Sequence, residues 1–139
     1  MIALLDLMRG HAALLPLLVA IVGAALAMLC PPRVSWGVAT FAAILCAMVT
    51  ADAAVRVLLN GAPIWAVAEG VALMADGIGF FSAALLAGVA AFAAVASGAT
   101  VFNAGRPVAP AAMALVLCQL AGWLGALTAR DLAGVFVAI

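Results

Sequence analysis

From Gly77 to Gly105 not one side chain carries a charge, and the same is true from Ala12 to Pro32, from Val34 to Ala51 and from Val108 to Ala129. Uncharged apolar runs of this length set the fold class. A helix needs about 20 such residues to cross the roughly 30 Å hydrocarbon core of a bilayer. Composition agrees, with 71% hydrophobic and 7% charged residues in 139, against about 45 to 50% and about 25% in a soluble domain. Too little polar surface is left to cover a globule in water. The expectation is an all-α, polytopic membrane protein forming one membrane domain, with the lipid bilayer as its first partner.

Charges mark the ends of the spans, because Asp or Arg at the centre of a spanning helix costs roughly 2.5 to 3.5 kcal/mol. On that rule the first span covers residues 12–32 and stops at Cys30-Pro31-Pro32-Arg33, where consecutive prolines interrupt a helix. A second covers 34–55, with Leu59 as its far limit. Asp52 and Arg56 stand four residues apart, share a helix face and are expected to pair as a structural ion pair at an interfacial end. Residues 60–76 form a connecting segment along the membrane surface. It opens with the turn signal Asn60-Gly61-Ala62-Pro63 and holds Trp65, Glu69 and Asp76. The third span covers 77–101, and its Gly77, Gly79, Gly88 and Gly98 suit close helix packing. The fourth covers 108–129. Beyond Arg130-Asp131, residues 132–139 would rise only about 12 Å as a helix, which is the start of a fifth span.

Several function classes drop out. Five arginines balance five acids, no lysine is present, and His11 is the single histidine. A basic nucleic-acid footprint is absent, as is a polybasic headgroup-binding cluster. No phosphate loop, zinc-binding helix motif or nucleophile elbow occurs, so no catalytic residue, metal or cofactor is expected. Cys30, Cys46 and Cys118 lack metal-binding spacing and read as small buried hydrophobes. A cleaved signal peptide fits poorly, because the first apolar run exceeds the usual 7 to 15 residues.

The polar residues left inside or beside spans are Gln119, Asp76 and Asp131. An amide within a span needs a hydrogen-bond partner; a helix–helix bond is the structural role for Gln119 and lining an ion path the functional one. Asp76 and Asp131 precede spans, where the helix dipole favours a carboxylate and where an ion path could also begin.

The segment "GAPIWAVAEGVALMADGIGFFSAALL", followed by a span, an Arg-Pro loop, another span and "LTARDLAGVFVAI", resembles the antiporter-like large membrane subunits of respiratory complex I. Related subunits occur in Mrp-type cation/proton antiporters and in membrane-bound hydrogenases. In that family a surface segment leads to an Asp-Gly start of the third helix, as at Asp76-Gly77, and an Asp-Leu start of the fifth, as at Asp131-Leu132. Departures are the displaced Ser82, Ala133-Gly134 in place of bulkier residues, and Arg130. The resemblance implies a proton-conducting line of buried Glu, Lys and His, beginning with a glutamate at the position after Ile139. It also implies that the chain is an N-terminal portion or split half of such a subunit. That portion would not transport alone, its partners being the remaining helices and companion subunits in a bacterial cytoplasmic membrane. Arginine positions weakly favour a cytoplasmic N-terminus, whereas the resemblance implies an outer one. An autonomous four-helix membrane scaffold or assembly protein is the alternative from a different class.

Overall fold

The computed structural model of the chain describes residues 14–60, 64–68, 71–75, 77–98 and 110–128. In chain order these form α1 (Leu15–Leu29), α2 (Pro32–Asn60), β1 (Ile64–Ala68), β2 (Val71–Ala75), α3 (Gly77–Ala96) and α4 (Pro110–Thr128). By length and composition α2, α3 and α4 can each cross a membrane. Helix α1 has 15 residues, a rise of about 22 Å. The expected start of a fifth helix, with Arg130 and Asp131, lies outside the described residues, as do Asp76, Glu69 and residues 1–13.

Prolines set the helix boundaries, and they do so as starts as much as stops. Cys30 is extended, with φ −93° and ψ 152°, because a residue preceding proline is pushed out of the helical region. Helix α1 therefore ends at Leu29, earlier than residue 32. Pro32 then opens α2 and Pro110 opens α4, while Pro16 sits in the first turn of α1. A first-turn proline sacrifices only an N–H that has no intrahelical acceptor.

The connecting segment brings the main departure from a purely helical picture. Helix α2 continues to Asn60, and β1 and β2 then pair antiparallel, from Ile64 opposite Ala75 to Ala68 opposite Val71. Ile64, Trp65, Val67 and Val71 favour extended backbone, and pairing satisfies donors and acceptors that an unpaired surface strand would leave to water. Strand β2 also touches α4.

Helices α1 and α2 run antiparallel, as do α2 and α3. Phe80 near the start of α3 packs with Ala53, Ala54 and Val57 near the end of α2, whereas Trp36 near the start of α2 reaches Ala94 near the end of α3. In the same way Gly23 of α1 faces Ala42 of α2, and Pro16 faces Cys46. Contacts are most extensive between α2 and α3, α1 and α4, and α1 and α2.

The interior is built mainly from small side chains, with Leu117, Leu120 and Leu124 of α4 and Phe80 of α3 as its large members. Ala20, Ala24 and Ala27 of α1 meet Ala39, Ala42, Ala43 and Cys46 of α2, Ala83 and Ala91 of α3, and Ala114 and Ala121 of α4. Large apolar residues such as Phe41, Met48, Val89, Phe92 and Leu115 point outward. This inversion follows from the solvent: lipid tails are as apolar as leucine, so helices gain by approaching closely through small residues.

Candidate functional site

The polar groups of the bundle divide into an interior set and an outer set. Buried among the helices are Ser35, Thr40, Thr50 and Thr128. Thr50 Oγ1 donates to the Cys46 carbonyl one turn earlier. Thr128 Oγ1 donates to the Leu124 carbonyl at 2.8 Å and lies 3.3 Å from that of Gly125. Both satisfy themselves within their own helix. Ser35 Oγ and Thr40 Oγ1 have no hydrogen-bond partner among the described residues. The Cys46 thiol donates to the Pro16 carbonyl at 3.4 Å, linking α2 to the first turn of α1.

Trp36 makes the most extensive polar connection. Its indole Nε1 donates to the Ala94 carbonyl at 3.1 Å and to Ser97 Oγ at 3.3 Å, while Ser97 Oγ donates to the same carbonyl at 2.8 Å. Ala94 is one of the last residues of α3, whose terminal carbonyls lack partners in their own helix. Trp36 therefore caps α3 from α2. The indole lies so close to Gly98 that a Cβ there would come within 2.6 Å of Trp36 Cζ2.

On the outside, Arg56 Nε donates to Asp52 Oδ2 at 2.7 Å, with both side chains more than half exposed. Gln119 is exposed at the middle of α4 and has no hydrogen bond to another described residue; Cys118 beside it is exposed too. The expectation of buried cysteines holds for Cys46, but Cys30 is half-buried and Cys118 faces outward. Asp76 and Asp131 fall outside the described residues.

Sequence reasoning placed Asp52 and Arg56 together but missed Trp36, Ser97 and Gly23. A tryptophan four residues after a proline-opened start, and a Ser-Gly pair at the end of the next span, were the available signals. Among the described residues no ionisable carboxylate, amine or imidazole is buried, and no three His, Cys, Asp or Glu side chains gather as they would around a metal ion. Hydroxyls and one thiol can orient and cap, but they do not cycle protons as a carboxylate or imidazole does.

No family model matches the chain, and no curated protein and no solved structure was found to be similar to it. The fold itself defines a membrane protein whose apolar helices pack through small residues.

Proposed function

We propose that this chain is the N-terminal helical portion of a proton- or cation-translocating, antiporter-like subunit of the complex I, Mrp or hydrogenase type. In that reading it sits in a bacterial cytoplasmic membrane and supplies packing rather than the relay. Element order carries the reading. Two helices are followed by a pair of antiparallel strands, and in the sequence Asp76 stands between Ala75, the last residue of β2, and Gly77, the first residue of α3. A carboxylate there favours the helix N-terminus, and an Asp-Gly helix start is what the resemblance requires. Helix α4 ends at Thr128, shortly before Asp131-Leu132, the second matching pair.

The coding sequence beyond Ile139 provides the test. The reading expects a glutamate at the next position, in this or a shifted frame, and later spans containing lysines. Unrelated sequence in every frame would overturn it. A small membrane scaffold is the second reading, favoured by one observation: the four described helices enclose an interior of their own. It expects the purified chain to hold the packing of Trp36 on α3 in detergent without any other subunit.

A further inference from the structure

Gln119 lies midway between Pro110 and Thr128, about 13 Å from either end of α4 at 1.5 Å per residue. Its surroundings on the outer face are Leu115, Val116 and Trp123, all more than half exposed, with Ala112 and Cys118 also exposed. A side-chain amide carries two donors and an acceptor oxygen. At mid-span the headgroups are out of its reach, and lipid offers nothing to pair with. Arg33 and the Asp52–Arg56 pair lie nearer helix ends, so Gln119 is the one exposed polar side chain that the described helices hold at mid-depth.

We propose that this face of α4 docks a second copy of the chain about a two-fold axis along the membrane normal, with the two Gln119 amides bonded to each other. Two properties select this occupant. An amide is self-complementary, each side donating and accepting. A two-fold axis along the normal also places residue 119 of both copies at the same depth by construction. A different helix would need its own polar group at that level. Ala112 and Cys118 are small enough to let the helices approach. The inference is independent of the antiporter-like reading, because it uses only the position and exposure of Gln119.

The test uses the whole chain, carrying donor or acceptor dyes on an N-terminal tag, in phosphatidylcholine vesicles over a range of protein-to-lipid ratios. Energy transfer should report a dimer. Gln119→Leu should weaken it about tenfold, the effect of losing two interhelical hydrogen bonds, with helicity unchanged. Gln119→Asn should retain part of the association, and Phe92→Leu on the outer face of α3 should leave it intact. Copper-phenanthroline oxidation should cross-link the native protein through Cys118, and Cys118→Ser should abolish the product. A chain that stays monomeric at every ratio, or a dimer unaffected by Gln119→Leu, overturns the proposal and assigns the face to another protein's helix.

Discussion

At Gly23 a hydrogen stands where a methyl group does not fit. An added Cβ would come within 2.5 Å of the Ala42 Cβ and 3.4 Å of Leu117 Cδ1. A neighbouring Cβ cannot rotate away, so Gly23→Ala must push α1 from α2. Overpacking of this kind costs about 1 to 3 kcal/mol, which SDS-induced unfolding in mixed micelles would measure. Gly37 and Gly88 have nothing within 4 Å of an added Cβ. Alanine at either should leave stability unchanged or raise it by up to about 1 kcal/mol through helix propensity. Equal losses at Gly23, Gly37 and Gly88 would defeat the packing argument. Gly98→Ala should also destabilise, and less so in a Trp36→Ala background, because the indole it collides with is gone; that non-additivity is the signature of contact. In the sequence Gly88 and Gly98 looked alike. Hydropathy finds the span but leaves open which side of an all-apolar helix faces the neighbour, and that side decides what a glycine does.

At the scale of elements, charge position measures the length available to a span, although α2 continues through Asp52 and Arg56 to Asn60. Arg33 and Asp52 are separated along α2 by about 28 Å of helix, close to the hydrocarbon thickness. The full helix of 29 residues rises about 43 Å, longer than the hydrocarbon is thick, and with Arg33 at one boundary its last turns, with the Asp52–Arg56 pair, are expected to project past the other. A cysteine replacing Val55 should therefore react with a membrane-impermeant maleimide added to one side of sealed vesicles. A cysteine replacing Phe41, exposed on the same helix but at mid-depth, should not. Equal labelling of the two would move α2 out of the membrane. The Asp52–Arg56 pair itself is exposed, and Asp52→Asn should cost no more than about 0.5 kcal/mol in the unfolding assay. The four described helices were legible in place because long uncharged runs have few ways to be solvated, but α1 and α2 were not legible in length: α1 ends at Leu29 and α2 runs on to Asn60. The hairpin was not. Strands of five residues rich in alanine carry no strong alternation, and the pairing of Ile64 with Ala75 is a property of two segments at once. Prolines were read as breaks, although Pro32 and Pro110 each begin a helix and Pro31 only follows the end of one, because a proline's effect depends on which turn it occupies.

For the whole molecule, the interior decides what the chain can move across a bilayer. A proton path must offer exchangeable groups or water at hydrogen-bond intervals through about 30 Å. The described interior holds Ser35 and Thr40 toward the start of α2 and Thr50 toward its end. Thr40 and Thr50 are about 15 Å apart along the helix, and the buried residues between them on α2 are Ala42, Ala43 and Cys46. The Cys46 thiol is already directed at the Pro16 carbonyl, and Thr50 at its own helix. No hydroxyl ladder bridges that gap, and no buried carboxylate, lysine or histidine stands in it among the described residues. Gln119, the candidate ion-path residue that lies among the described residues, faces outward and does not bridge the gap. The chain reconstituted by itself in sealed vesicles with an imposed pH gradient should therefore let that gradient decay no faster than protein-free vesicles do, as followed by an entrapped pH-sensitive dye. A leak that grows with the amount of chain, and that survives Gln119→Leu, would mean that a path exists through the bundle, and the role of this portion as packing alone would have to be given up. Under the antiporter-like reading, flux should appear only when helices bearing the glutamate and lysines that the reading expects are supplied with it, so the same vesicles, loaded with and without those helices, separate a packing module from a conductor.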